Sequence, residues 1–273
     1  MTGFRRYPLR VIGRFLLFVA VVVGAFADYF FTFGVGRKKA ASTARAVWLQ
    51  RHSRRTLKIL KLVPRVHGPV PSAGLLISNH LGYLDILVYS SIAPMVFVSK
   101  RDVKFWPVVG ALAQLGGTVF VDRRRRTQVG EVNDEVEAAL DSGALVVLFP
   151  EGTSSNGGQV LPFRTALLEP VVSRGQPVSI ACIQYAVEDS DVGQEVCYWG
   201  NHTFFPHFLN LLSKEKLRVA IQFTTFAPGT ASRKELAGQL RQEVEKLKPG
   251  CAEMLGALRP MTGGSSVCQS RPE

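Results

Sequence analysis

Gly74-Leu75-Leu76-Ile77-Ser78-Asn79-His80-Leu81-Gly82-Tyr83-Leu84-Asp85-Ile86-Leu87-Val88 changes its pattern halfway along. Gly74 to Ser78 is an apolar run and reads as a short buried strand. Asn79 then offers a cap, and Leu84, Ile86, Leu87 and Val88 continue as a helix. His80 and Asp85 fall where strand hands over to helix, a place that holds side chains rigidly against a cleft. Imidazole is the side chain suited to moving a proton near neutral pH. A carboxylate on one ring nitrogen fixes its tautomer and steadies the imidazolium. Five residues is not the spacing of one helical face; it suits a pair folded back across a helix N-terminus. Taken alone, the same residues also read as a cap and a solvated acid.

Outward from this turn the alternation repeats. Strands are expected in Ile92 to Ser99, Gly116 to Val121 and Ala144 to Phe149. Between the last two, Val129, Val132, Val136 and Leu140 recur at helical spacing, with Gly143 as C-cap. Further strand and helix signals lie in Leu217 to Phe226 and Ser232 to Leu247. The expected fold class is therefore α/β: a mostly parallel sheet flanked by helices, with an N-terminal membrane-associated helical segment. Ligands in such sheets bind outside the carboxyl ends of the strands. His80, Lys100, Arg123 and Glu151 each follow an apolar strand, so one sheet edge is expected to carry all four.

The chain has 273 residues, 47% hydrophobic, and a net charge of +12. That length holds one full α/β core, and the charge points to an anionic partner such as nucleic acid, a membrane surface or a phosphorylated substrate. No nucleic-acid motif is present, so a nucleic-acid partner is not expected. Cys182, Cys197, Cys251 and Cys268 form no CxxC pair, and neither a disulfide framework nor a metal site is expected.

Phe15 to Gly36 is apolar except for Asp28. Its length suits a single transmembrane helix or a helix pair dipping into one leaflet, bent near Gly24 to Asp28. A cleaved signal would have a shorter apolar core. From Tyr29 to Leu84 there is no acidic residue, and Arg54, Lys58, Lys61 and Arg65 recur at helical spacing. This reads as a basic amphipathic helix beside a membrane-inserting segment. Three regions are expected: a membrane-inserting and basic segment over 1–66, an α/β domain over 67–259, and a flexible tail over 260–273.

Pro150-Glu151-Gly152-Thr153-Ser154-Ser155-Asn156-Gly157-Gly158 is rich in glycine and hydroxyls. Successive amides there are expected to cradle an anion, although the Walker ending is missing. Glu151 is suited to accept from a substrate hydroxyl or to hold an arginine. Arg123 and Arg164 are candidates for a phosphate through their planar forks. His202 and His207 have near-ligand spacing without a partner cluster and read as surface or packing residues.

Together these blocks resemble the glycerolipid acyltransferases, typified by 1-acylglycerol-3-phosphate acyltransferase. Asn79 to Asp85 resembles the His-x4-Asp block, Gly117 to Arg123 the second, and Phe149 to Ser154 with Leu161 to Thr165 the third. The order is the family's, over about residues 70 to 185. In the fourth block, Gln176 to Ala181, Pro177 is kept but Ile180 stands where a second proline is usual. The resemblance implies that His80 deprotonates an acceptor hydroxyl while Asp85 orients it. The hydroxyl then attacks the thioester of acyl-CoA or acyl-carrier protein, a co-substrate, with no other cofactor. No Gly-x-Ser-x-Gly elbow is present to form an acyl-enzyme. It further implies that Arg123 binds the acceptor phosphate with help from Lys100, and that Glu151, Gly152 and Thr153 line the acceptor site. The implied reaction turns lysophosphatidate into phosphatidate, at the cytoplasmic face of the inner membrane and among membrane lipids. Tyr198 to Asn201, His202 and Pro206-His207 look more like the lyso-ornithine lipid branch, which leaves the acceptor open. The different-class alternative is a non-catalytic membrane-binding protein.

Overall fold

The computed structural model describes residues 7–34, 41–121, 129–188, 190–229 and 231–256, with side chains from 134 onward in the helix that begins at Val129. Arg123 to Arg126 and the 260–273 tail lie outside these residues. Seven strands form one sheet in the order β1-β7-β6-β2-β5-β3-β4. They are β1 (Pro64–His67), β2 (Gly74–Ser78), β3 (Met95–Lys100), β4 (Val119–Val121), β5 (Leu145–Leu148), β6 (Val178–Val187) and β7 (Leu217–Phe226). β2, β3, β4, β5 and β6 run parallel; β7 is antiparallel to β6, and β1 is parallel to β7. The mostly parallel α/β expectation holds, with two reversed strands at one side.

Strand side chains alternate between faces, and the two faces bury separate cores. Leu76, Phe97, Val147, Ile183 and Ile221 pack under α1 (Pro8–Phe33), α2 (Ser42–Leu60), α3 (Tyr83–Ile92) and the helix Phe204–Ser213. Leu75, Ile77, Val96, Val146 and Ile180 pack under the helices Val129–Asp141 and Arg233–Leu255. The remaining helices in chain order are α4 (Val109–Leu115), α5 (Val129–Asp141), α6 (Glu169–Arg174), α7 (Val192–Glu195), α8 (Phe204–Ser213) and α9 (Arg233–Leu255).

Local chemistry corrects three expectations. The apolar N-terminal helix does not bend near Gly24 to Asp28: α1 is continuous from Pro8 to Phe33, with proline in its first turn and Gly34 at φ 72° beyond its end. The helix pair is instead α1 with α2. Asp28, costly in hydrocarbon when alone, accepts from Arg51 Nη1 at 2.9 Å and lies 2.9 Å from His52 Nε2. Trp48 Nε1 donates to Ala25 O at 3.3 Å beside them. Arg65 is not on the basic helix. That helix stops at Leu60 with Lys61 left-handed, and Pro64, which a helix interior does not tolerate, opens β1 with Arg65 next on that strand. Asn79 does not cap α3, whose N-cap is Gly82. Its amide instead pairs with Ile183 in β6, donating to O at 3.0 Å and accepting from N at 2.9 Å.

Candidate active site

β2 and β6 carry apolar side chains on both faces, so their ends are fixed by two cores. His80 emerges past the carboxyl end of β2, and its peptide is held twice. Its N–H donates to Glu151 Oε1 at 2.9 Å, and its carbonyl accepts from Ser155 N at 2.9 Å. The ring stacks on Phe149 with centroids 4.2 Å apart and planes 19° from parallel. Position and plane of the imidazole are thus set by the loop after β5.

Asp85 enters from the first turn of α3 and folds back over the loop, as the five-residue spacing requires. Its carboxylate is fully buried and receives four donors. His80 Nδ1 lies 2.8 Å from Oδ2, which also accepts from Leu81 N at 2.6 Å and Gly82 N at 3.0 Å. Oδ1 accepts from the Tyr185 hydroxyl at 2.7 Å. A buried carboxylate is tolerable only when it is satisfied in this way. Burial pushes the Tyr185 hydroxyl well up, so it stays a donor. The Asp85 contact assigns the proton of neutral His80 to Nδ1, which leaves Nε2 as a lone-pair acceptor with no partner among the described residues. The His80 side chain is 22% exposed and Asp85 0%, an acid sealed behind a base that faces outward.

Tyr185 escaped the sequence reading. It sits in the apolar strand β6, a hundred residues from Asp85, and no spacing rule links the two. Gly82 is the second omission. A Cβ there would lie 2.9 Å from both the Tyr198 backbone N and its Cβ; Tyr198 N donates to Leu81 O at 2.8 Å, which locks that loop over the turn.

The block after β5 clamps the His80 peptide. Gly152, at φ 71°, donates to Phe149 O. Ser155 N is taken by His80 O, Gly157 N by Ser155 Oγ at 3.3 Å and Gly158 N by Asn156 Oδ1 at 3.0 Å. Four of the block's amides, those of residues 152, 155, 157 and 158, are thus bonded within the protein. Glu151 is 2% exposed, and among the described residues its carboxylate holds no arginine side chain. Its oxygens accept from His80 N and from Leu161 N at 3.2 Å. Burial pushes the Glu151 carboxyl up to about 7, against the two amides that favour its charged form. Thr153 is exposed at the loop surface. Arg164 is exposed, its Nε donating to Glu151 O at 3.3 Å, and its terminal nitrogens have no partner among the described residues.

Lys100 closes β3 at the same sheet edge, two strands from β2, or about 10 Å at the usual strand spacing. His80, Lys100 and Glu151 therefore share that edge; Arg123 lies outside the described residues. His207 is buried with Nδ1 2.9 Å from the Tyr83 hydroxyl. Burial and then His202 push it down to about 4, so it is a neutral packing histidine.

An imidazole with one ring nitrogen tied to a buried acid and the other free is built to take a proton from an alcohol. The residues around it match a known group. The Acyltransferase family profile matches residues 63–184. The chain is 34% identical over 217 residues to the lyso-ornithine lipid O-acyltransferase of Rhizobium meliloti, covering 73% of this chain and 74% of that one. It is 30% identical over 185 residues to the 1-acyl-sn-glycerol-3-phosphate acyltransferase of Neisseria gonorrhoeae, covering 64% and 68%. The crystal structure of the 1-acyl-sn-glycerophosphate acyltransferase PlsC from Thermotoga maritima superposes with a TM-score of 0.61 over 93% of this chain and 99% of that one, at 19% identity; it shares the fold. The chain belongs to the acyltransferase family. It is an enzyme of the lysophospholipid type, which sets aside the non-catalytic reading.

Proposed function

We propose that the protein transfers a fatty acyl chain from acyl-CoA or acyl-carrier protein to the free hydroxyl of lysophosphatidate, giving phosphatidate. The observation that carries this is the His80–Asp85 pair, with Nε2 open at a sheet edge that also presents Arg164 and Lys100. His80 Nε2 accepts the hydroxyl proton as the oxygen attacks the thioester carbonyl. Asp85 holds the ring and balances the imidazolium. The proton then passes to the departing thiolate. Such base assistance contributes roughly 10² to 10⁴-fold, and alignment of the two substrates supplies more. Arg164, Lys100 and Arg123 meet the acceptor phosphate, while Glu151, Gly152 and Thr153 shape the loop beside it.

The reaction takes place at the cytoplasmic face of the inner membrane. α1 rests against α8 and α2 along its length, through Phe15 and Phe18 with Phe205 and Phe208 and through Tyr29 with Trp48. A helix held flat on the domain at both ends favours insertion into one leaflet over a span.

The identity to lyso-ornithine lipid acyltransferases favours a second acceptor, lyso-ornithine lipid. A panel of purified lysolipids with labelled acyl-CoA separates the two. Lysophosphatidate is expected to be consumed at least tenfold faster than lyso-ornithine lipid; the reverse preference would move the assignment to the second acceptor.

A further inference from the structure

After β3 the chain makes a short 3-10 turn, Arg101–Phe105, and then Trp106-Pro107-Val108 before α4. Val108 has φ 62° and ψ −57°, with Val109 N donating to Pro107 O at 2.6 Å. This is a γ-turn of the strained, positive-φ kind, which a β-branched residue rarely adopts. Such strain persists only where the surroundings impose it, and it marks functional positions. The turn lifts large apolar groups into the open: Phe105 is 72% and Val108 47% exposed.

The turn is continuous with the apolar helix. Trp106 lies 5.9 Å from the ring of Phe204 and 6.0 Å from that of Tyr198. Phe205, the next residue, is 55% exposed and meets Phe15 of α1 edge-on at 6.2 Å. α1 itself exposes Leu9, Ile12, Leu16 and Leu17. One apolar line thus runs from α1 through Phe208 and Phe204 to Trp106, and on to Phe105 and Val108, with Phe205 beside it. It passes Tyr198, whose backbone holds the Leu81 carbonyl of the His80 loop. Exposed Lys104 adjoins Phe105. Aromatic rings beside a cation suit the headgroup region of a bilayer.

We infer that the Phe105–Val108 turn is a second lipid contact, which enters the membrane surface beside the His80 opening while α1 anchors the other end. Two separated contacts fix the tilt of the domain, so that a lysolipid reaches the base without leaving the bilayer. The inference rests on the membrane reading above, and the occupant is a phospholipid surface.

Depth quenching tests it on the full chain. Phe105→Cys and, separately, Leu17→Cys are made with Cys268→Ser, labelled with an environment-sensitive fluorophore and bound to vesicles of neutral and anionic phospholipid. Lipids carrying a quencher high on the acyl chain are expected to quench both labels at least twofold. Quenching at Leu17 with none at Phe105 would overturn the second contact and leave the membrane reading standing. No quenching at either would overturn both. A Phe105 label shielded from water but unquenched, in particles of twice the mass, would assign the turn to a second copy of the chain instead. Phe105→Ser with Val108→Ser is expected to slow turnover on vesicles at least fivefold while turnover of detergent-dispersed acceptor stays within twofold. Equal loss in both would contradict the inference.

Discussion

At the residue scale the site is a relay of hydroxyl, carboxylate and imidazole, and only its last two members are visible in the sequence. His80 and Asp85 are neighbours in the chain, so spacing reveals them. Tyr185 reaches Asp85 only because β6 lies beside β2, a tertiary fact without a local signal. Removing its hydroxyl leaves Oδ1 of a buried carboxylate without a partner, which costs about 1 to 3 kcal/mol. Tyr185→Phe is accordingly expected to lower kcat roughly tenfold, about 1.4 kcal/mol, with KM little changed and the acid limb of the pH–rate profile displaced. An unmoved profile would reduce Tyr185 to packing. Glu151 makes a second test. Its carboxyl rises from 4.5 to about 7 on folding, so between those values the folded chain binds a proton that the unfolded chain has lost. Stability therefore falls as pH rises through that window, by roughly 3 kcal/mol in all. Glu151→Gln removes the titration, whatever constant cost the amide adds. Denaturation midpoints in detergent at pH 5 and pH 8 are expected to converge in the variant relative to the parent; an unchanged difference would rule Glu151 out as its source.

At the element scale the strand–turn–helix unit from Gly74 to Ile92 is the part most legible in the sequence, because two periodicities meet there with a glycine between them. The hydroxyl-rich block after β5 was less legible: its composition allows an anion cradle, and only the hydrogen bonds show that Ser155 N and the Glu151 carboxylate grip the His80 peptide. Pro64 set the end of α2 where charge spacing suggested a longer helix. Gly82 joins these elements. A methyl at its α carbon would press on the backbone of Tyr198, which has no flexible end to yield. Gly82→Ala is expected to push α3 from the Tyr198 loop, costing about 1 to 3 kcal/mol of stability and most of the activity. A wild-type turnover number with an unchanged melting temperature would show that the loop is not held this tightly.

At the scale of the molecule the sheet divides labour between its faces. One face is closed by α5 and α9, and its core is conventional. The other carries α3 with the acid, then α2, α8 and the apolar α1, so the His80 edge and the exposed apolar side adjoin. The net charge and the apolar run point to a membrane surface; that α1 folds back onto the domain, with Asp28 bound by Arg51 and His52, depends on contacts between segments and was not readable in advance. On the proposed function this arrangement serves one proton transfer. The direct test is acyl transfer from labelled acyl-CoA to lysolipid on vesicles by His80→Ala, with vesicle binding and melting temperature measured in parallel. Turnover is expected to fall at least a hundredfold, in line with the roughly 10² to 10⁴-fold worth of a positioned base, while binding and melting stay near those of the parent. Turnover within a few-fold of the parent would show that another group takes the proton.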